Sequence, residues 1–239
     1  MVCTDGSPES QGAFQAALDL ARASGSMIYL VQVVAAIPGY ELQPLDLMAP
    51  AAQVNLEMMA MMEDAARQSL GNLKSEAARQ GLSVEVRVRT AATAYEGILE
   101  EAEEIKPQLI IMGRYGRTGL SRLLMGSVTA RIIGHSSLDV LVVPKGVRLD
   151  WKKILMASDG SSYSLAAWEE ALNIVQRTGG SLIAVSVARS DADIKAASAI
   201  VQKMKAQASL KGMDPETLVL QGRPFEEILK IARQREVNL

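Results

Sequence analysis

The chain has 239 residues, and its 49% apolar and 22% charged residues exclude a mostly disordered protein and allow a sizeable buried core. The 25 Lys and Arg residues nearly balance the 27 Asp and Glu residues, with no block of like charge, so the charge pattern offers no case for nucleic-acid binding. The one cysteine excludes an internal disulfide and fits a reducing compartment, and the one histidine argues against a His-based metal site.

The first half of the chain alternates predicted strands and helices. A short strand, Met1–Thr4, leads into Asp5-Gly6-Ser7, and the helix that follows has apolar residues at i, i+3, i+4 and i+7 and ends at Gly25. The next predicted elements, in order, are the strand Met27–Ala36, a helix at about Ala51–Gln80, the strand Leu82–Thr90, the helix Tyr95–Glu104, the strand Leu109–Gly113, another helix and the strand Val140–Pro144.

The second half of the chain repeats this pattern. Asp5-Gly6-Ser7 recurs as Asp159-Gly160-Ser161, and the apolar positions of the following helix keep the same offsets. The later predicted elements are the strand Leu182–Ala188, the helix Ala192–Leu210, the strand Thr217–Gln221 and the helix Phe225–Arg235. Because strands that alternate with helices form parallel sheets covered on both faces, the sequence predicts an α/β fold with two tandem doubly wound units. Each unit is expected to be a five-stranded parallel sheet flanked by helices, the second lacking its last two strands.

The repeat predicts two domains, 1–146 and 151–239, with their boundary in the link Lys145–Trp151. The second copy stops where the first continues into Leu109–Pro144, so we expect it to be incomplete at its C-terminus. A sequence cut short and a naturally degenerate second domain both explain this difference.

A glycine-rich loop, Gly113-x2-Gly116-x9-Gly126-Ser127, follows the fourth predicted strand and precedes a helix. Glycines let backbone N–H groups approach a ligand, and a helix N-terminus offers free donors, so this geometry suits an anion. Neither the P-loop nor the dinucleotide-binding fingerprint fits, because the loop contains no Gly-Lys-Ser/Thr and does not follow the first strand. From the glycines alone, packing and turn formation account for the loop equally well.

The full spacing resembles the nucleotide-binding signature of the universal stress protein family. The segments Val2–Ser7, Leu109–Gly113, Gly126–Thr129 and Val140–Pro144 agree with that family's pattern. The resemblance covers the whole first copy and, without its end, the second copy. The chain therefore looks like a tandem member of the family.

The resemblance implies that the first domain binds ATP with Mg²⁺ for sensing or regulation in a stress response. It implies that adenine lies near Cys3, Thr4 and Val33, and that Asp5 lies near the ribose and the metal-bound phosphate, as the metal candidate. The residues that it implies around the phosphates are Gly113, Gly116, Gly126, Ser127 and Val128, with Met112 and Arg114 beside them. Ligands of open α/β sheets bind at the carboxyl ends of strands, where these segments lie.

Several of these residues also suit structural roles that need no ligand. Asp5-Gly6-Ser7 is a turn and helix-start signal, in which Ser7 caps a helix with Pro8 at its first position. Cys3 fits a buried strand residue better than a reactive thiol, because no basic neighbour lowers its pKa. Ser127 is better suited to donate to a phosphate than to act as a nucleophile, since the single histidine is distant. We therefore predict no catalytic residue.

Two alternatives to a nucleotide-binding regulator stay open: a slow ATP hydrolase and an interaction module that binds no nucleotide. The resemblance also implies pairing through the last strand of each sheet, as a homodimer or between the tandem domains. The longest apolar runs, such as Met27–Ala36, fall short of the roughly 20 residues of a membrane span, and no targeting signal is visible. We expect a cytoplasmic protein that contacts no membrane.

Overall fold

The computed structural model describes residues 1–36, 50–116, 125–147, 149 and 151–237. The chain divides into two compact units, Met1–Arg148 and Leu149–Leu239. Both units consist of parallel strands flanked by helices, so the α/β fold class predicted from the repeat is confirmed.

The first unit contains a five-stranded parallel sheet in the order β3-β2-β1-β4-β5. A short 3-10 helix, Pro8–Ser10, precedes its first α-helix. The elements are β1 (Val2–Cys3), α1 (Gln11–Ser24), β2 (Ile28–Ala35), α2 (Pro50–Arg79), β3 (Val84–Ala91), α3 (Ala94–Ile105), β4 (Leu109–Gly113), α4 (Ser127–His135) and β5 (Asp139–Val143). The chain runs outward from β1 to β3 and then returns to place β4 on the other side of β1. This reversal of strand order creates a crevice at the carboxyl ends of β1 and β4.

The register of the central strands aligns their carboxyl ends. Cys3 of β1 pairs with Val31 of β2 on one side and with Met112 of β4 on the other. These three residues belong to one buried cluster with Ile98 of α3 and Ile132 of α4. The apolar face that these side chains form fixes the strands in register, because a slip of one residue would turn them to the opposite face.

In this unit, Gly25 ends α1 and Thr93 begins α3, each through hydrogen bonds with nearby residues. Gly25 adopts the left-handed conformation after α1, with φ of 69°, and its N–H donates to the carbonyl of Ala21 at 2.8 Å. At the start of α3, the Thr93 hydroxyl accepts from the N–H of Glu96 at 3.4 Å and donates to its carboxylate at 2.7 Å. The bonds at Gly25 and at the Glu96 N–H satisfy backbone groups that a helix end leaves without partners.

The second unit repeats the first part of this arrangement. Its elements are β6 (Lys153–Ala157), α5 (Ser162–Thr178), β7 (Ser181–Ala188), α6 (Ile194–Leu210), β8 (Glu216–Gln221) and α7 (Pro224–Gln234). The three strands are parallel in the order β6-β7-β8, and Gly179 ends α5 with a φ of 70°, as Gly25 ends α1. In the described part of this unit the sheet thus lacks counterparts of β4 and β5, as predicted. None of the helices described is long and apolar enough to span a membrane.

Candidate functional site

A cavity of about 490 Å³ lies in the first unit at the carboxyl ends of β1, β2 and β4. Its volume falls within the range of small-molecule sites. Apart from Arg114, every residue assigned to nucleotide or metal binding from the sequence lines it: Cys3, Thr4, Asp5, Val33, Met112, Gly113, Gly116, Gly126, Ser127 and Val128. The fold therefore brings together residues from both ends of the first copy.

The side chain of Arg114, in the glycine loop, contacts Tyr115 and not the cavity. Its guanidinium carbon lies 5.1 Å from the centroid of the Tyr115 ring, which is within cation–π distance, and the side chain does not line the cavity. Tyr115 itself does line it. The part of the motif at positions 117–124 lies outside the described residues.

Asp5 is held in place by a turn directly after β1. Its Oδ1 accepts hydrogen bonds from the Ser7 N–H at 3.0 Å and from the Ser7 hydroxyl at 2.5 Å. Ser7 holds the N-cap position of the 3-10 turn with Pro8 after it, but its side chain makes no cap bond: the Ser10 N–H donates to the Ser7 carbonyl at 3.1 Å, and α1 begins at Gln11. The predicted cap forms instead in the second unit, where the Ser161 hydroxyl accepts from the N–H of Ser164 at 3.2 Å.

At the three described glycines of the loop, Gly113, Gly116 and Gly126, an added Cβ would come unusually close to neighbouring atoms. A Cβ on Gly116 would lie 2.7 Å from Asp5 Oδ2, and one on Gly113 would lie 2.9 Å from the backbone oxygen of Glu9. A Cβ on Gly126 would lie 3.1 Å from the backbone oxygen of Arg114. The sequence-based alternative of packing and turn formation thus holds for all three, and each of the three also lines the cavity.

Backbone hydrogen bonds fold the loop onto the start of α4. The Arg114 N–H donates to the carbonyl of Val143 at 3.2 Å, and the Gly126 N–H donates to the carbonyl of Arg114 at 2.9 Å. The Thr129 hydroxyl donates to the carbonyl of Gly113 at 2.9 Å. The first turn of α4, which begins at Ser127, lines the cavity, and the first N–H groups of a helix have no intrahelical acceptor. This is an arrangement suited to an anion.

Two buried polar atoms on this cavity have no hydrogen-bond partner among the described residues: Gln32 Oε1 and the Tyr115 hydroxyl. Buried polar groups in proteins are nearly always paired, so each exception needs a physical reason. Both atoms have almost no accessible surface, so a ligand in the cavity does not reach them with the side chains as they stand.

Sequence reasoning missed the wall that α2 contributes. Met62, Ala65, Ala66 and Ser69 line the cavity and are spaced i, i+3, i+4 and i+7, which is one face of a helix. The spacing of these mostly small residues was the available signal, but the run of methionines that includes Met62 obscured it. Ala94 and Ile98 of α3 and Gln32 of β2 also line the cavity without having been predicted.

The side chains on the cavity suit a metal ion that is bound partly by the protein and partly by a ligand. They do not suit one that is bound by the protein alone. Asp5 is the one carboxylate among the described residues that line the cavity, and no group of three or more potential ligands occurs in the described chain. Mg²⁺ is commonly held by one or two carboxylates together with phosphate oxygens. Burial raises the pKa of the Cys3 thiol to about 12, so this side chain stays neutral and is poorly suited to bind a metal.

Comparisons with known proteins agree on one family. Residues 1–144 and 150–239 each match the model of the universal stress protein family. A universal stress protein of Methanocaldococcus jannaschii is 32% identical over 146 residues, which are 61% of this chain and 81% of that protein. The crystal structure of a universal stress protein from Archaeoglobus fulgidus DSM 4304 matches 99% of this chain and 84% of its own, with a TM-score of 0.78 at 21% identity. A putative universal stress protein from Pseudomonas aeruginosa UCBPP-PA14 matches 92% of this chain and 73% of its own, with a TM-score of 0.63 at 16% identity.

Proposed function

Because the chain belongs to the universal stress protein family, we propose that its first unit binds an adenine nucleotide, ATP with Mg²⁺, for sensing or regulation in a stress response. The observation that carries the proposal is the convergence of Asp5, the glycine loop and the start of α4 on one cavity of suitable size. These segments are far apart in sequence, and each offers chemistry that a nucleotide phosphate needs.

The proposed phosphate contacts come from backbone and hydroxyl groups. The N–H groups of the first turn of α4 and the Ser127 hydroxyl would donate to phosphate oxygens. Gly113, Gly116 and Gly126 would allow the phosphates to approach the backbone. Asp5 would share the metal with the phosphates, and the metal would neutralise part of their charge.

The proposed nucleobase contacts come from the apolar part of the cavity. Cys3, Val33 and Ile98 line it with Ala66, whose small side chain leaves space beside β2. Such walls bury the faces of an aromatic base, while a few polar groups set its orientation. Thr4 lines the same region, but its hydroxyl already bonds to the Ser10 hydroxyl at 2.7 Å.

We propose binding of ATP and not its turnover. Among the described residues that line the cavity there is no histidine, and the one carboxylate, Asp5, already accepts from Ser7. His135 lies at the exposed end of α4, where its Nδ1 is 2.8 Å from the carbonyl of Arg131. Hydrolysis of ATP calls for a general base within reach of the phosphate, and none of these groups supplies one.

We propose that the domain 1–146 holds the nucleotide site, that the domain 151–239 is a structural partner, and that the chain acts in the cytoplasm. We further propose that two chains pair through β5 as a homodimer, the alternative being internal pairing of the tandem domains. Because Asp159 is the counterpart of Asp5, it offers a control for the nucleotide site.

Calorimetric titration of the full chain with Mg-ATP, compared with ATP in a metal chelator, tests the proposal. Asp5→Asn keeps an amide oxygen to accept from Ser7 and removes the charge. We expect it to abolish the Mg²⁺ dependence of binding and to weaken Mg-ATP binding about tenfold, the effect of one charge-assisted contact.

Asp159→Asn makes the same change in the second unit and is expected to bind Mg-ATP like the wild type. Two results would contradict the proposal: a wild-type chain that does not bind Mg-ATP, or equal losses in the two variants.

A further inference from the structure

The N-terminal part of α2 extends beyond the sheet on which the rest of the helix packs. The helix has 30 residues and is about 45 Å long, whereas β3, which follows it and packs against it, has 8 residues and is about 26 Å long. About the first twelve residues of α2 therefore project past the carboxyl ends of the strands, where the cavity lies. Further along the helix, Ala66, Leu70 and Ala77 are buried, as expected for the part that packs on the sheet.

This projecting part of α2 carries large apolar side chains that are exposed: Val54, Leu56, Met58, Met61 and Met62. Met62 differs from the other four because it lines the cavity, as does Ala65 almost one turn further along. Its residue exposure is 41%. The side chain of Met62 is therefore part of the cavity wall and is also open to small molecules in the solvent.

Among the described residues with sulfur on the cavity, Met62 is the one open to oxidation. Met112 on β4 also lines the cavity, but its exposure is only 5%. Cys3 is buried with a thiol that stays neutral, so it is a poor nucleophile toward a peroxide. The other exposed methionines of the described chain, none of which lines the cavity, are Met27, Met58, Met61 and Met125. An oxidant that reaches exposed thioethers would therefore alter the cavity at Met62.

We propose that Met62 is an oxidation site at which hydroperoxides weaken nucleotide binding by the first unit. The proposal rests on the nucleotide site proposed above and adds a mode of regulation to it. The thioether sulfur attacks one peroxide oxygen, the O–O bond breaks, and that oxygen stays on the sulfur as a sulfoxide. Its proton passes to the other oxygen, which leaves as water or, from an organic hydroperoxide, as an alcohol. The sulfur loses the two electrons that the peroxide gains, so no further reactant is needed.

Oxidation changes the surface that Met62 offers to a ligand. A thioether is apolar and polarisable and makes favourable contacts with aromatic rings, and a purine base is such a ring. A sulfoxide is polar and chiral, and it disrupts apolar contacts. The neighbouring side chains on this face of α2, Ala65 and Ala66, offer no hydrogen-bond donor to the new oxygen. Binding is therefore expected to weaken but not to disappear, because the proposed phosphate contacts lie at the glycine loop and the start of α4.

The test measures Mg-ATP binding before and after oxidation. The full chain is titrated calorimetrically before and after treatment with hydrogen peroxide, and peptide mass spectrometry shows which methionines have gained an oxygen. We expect Met62 to be oxidised and the affinity for Mg-ATP to fall about fivefold, the size of one lost sulfur–aromatic contact. Methionine sulfoxide reductases for both sulfoxide epimers, supplied with a dithiol, are expected to restore the affinity.

Two leucine variants assign the effect to one side chain. Met62→Leu removes the oxidisable sulfur from the cavity wall, so peroxide is expected to leave the affinity of this variant unchanged. Met61→Leu is the matched control on the same helix, because Met61 has an exposure of 71% but does not line the cavity. It is expected to lose affinity after peroxide as the wild type does. Circular dichroism shows whether each sample is folded, and Met62→Ile replaces Met62→Leu if the latter is not.

The outcomes separate this proposal from the function on which it rests. A folded chain that carries the sulfoxide at Met62 and binds Mg-ATP as tightly as before overturns the role of Met62 and leaves nucleotide binding in place. The same follows if Met62 stays unmodified while Met61 is oxidised, if Met62→Leu loses as much affinity as the wild type, or if the loss accompanies unfolding. A wild-type chain that does not bind Mg-ATP before oxidation overturns both the proposal and the proposed function.

Discussion

At Gly116, the lack of a side chain allows the loop to lie against the carboxylate of Asp5. An added Cβ would come within 2.7 Å of Oδ2, while Oδ1 is held by both the N–H and the hydroxyl of Ser7. A Cβ there would turn the carboxylate aside and disturb the position in which Ser7 holds it. At Gly113 the obstacle is the backbone oxygen of Glu9, which cannot turn aside as a side-chain end can.

These contacts predict different outcomes for two alanine substitutions. Gly116→Ala is expected to fold with near wild-type stability, because a side-chain end gives way, and to bind Mg-ATP about tenfold more weakly, because Asp5 is displaced. Gly113→Ala is expected to lower the free energy of unfolding by about 1–3 kcal/mol, because a backbone must move. Urea unfolding and calorimetric titration measure the two effects.

The control for both is Gly134→Ala on α4. Nothing lies within 4 Å of a Cβ at Gly134, and its φ is outside the range that favours glycine. It is expected to keep both stability and binding. Unchanged binding by Gly116→Ala would show that Asp5 does not contribute to the nucleotide site.

Cys3 is expected to resist alkylation in the folded protein. Burial, the dominant cause, raises the pKa of its thiol to about 12. A raised pKa disfavours the thiolate at every pH below it, so the thiol stays protonated at pH 8. Mass spectrometry after treatment with iodoacetamide at pH 8 should find Cys3 unmodified in the native chain and modified in urea. Rapid labelling of the native chain would contradict this assignment.

At the scale of elements, strand and helix positions could be predicted because their patterns are local. The strand Leu109–Gly113 was predicted with the same bounds as β4, and the long helix predicted at Ala51–Gln80 is α2 displaced by one residue. Ser7 does precede the first helical turn with Pro8 after it, but its hydroxyl donates to Asp5 and makes no cap bond, a detail that a capping pattern does not reveal.

The cavity wall was harder to predict than the elements themselves. Periodicity shows that Met62, Ala66 and Ser69 share one face of α2, but it does not show that this face lines a cavity and not a packed core. That depends on how α2 lies beside β2, which tertiary packing decides. For the same reason, the strand pattern around Gln32 did not reveal an unpaired amide.

An ion-pair network joins β3 to α3 beside the site. Arg89 donates through Nε to Glu101 at 2.9 Å, through Nη1 to Glu100 at 3.2 Å and through Nη2 to Glu104. Hydrogen bonding, led by that to Glu104, raises the pKa of the guanidinium above its usual range. Of the three carboxylates only Glu101 is buried, with an exposure of 5%, so it depends most on this cation.

Arg89→Met is expected to lower the free energy of unfolding by about 2 kcal/mol, because Glu101 remains buried without its cation. Arg87→Met on the same strand is the control. Arg87 pairs with Glu85 at 2.6 Å, but both side chains are exposed, so its loss is expected to cost less than about 0.5 kcal/mol. Urea unfolding compares the two, and equal losses would refute a special role for the buried carboxylate.

At the scale of the molecule, the topology explains why residues that are far apart in the sequence come together on one cavity. Alternation of strands and helices predicts parallel sheets, and parallel sheets bring all carboxyl ends of their strands to one edge. Cys3 and Met112, far apart in the chain, are therefore neighbours in register. Arg114, in contrast, follows the same strand but turns to Tyr115, because the direction of a loop side chain is not determined by topology.

Mass spectrometry of small molecules released by acid from the freshly purified full chain, alongside Gly116→Ala, tests the proposed nucleotide site most directly. We predict that ATP or ADP is released from the wild type and is absent or strongly reduced in the variant. A wild-type chain that releases no nucleotide and also fails to bind added Mg-ATP would contradict the proposed site and would favour an interaction module that binds no nucleotide.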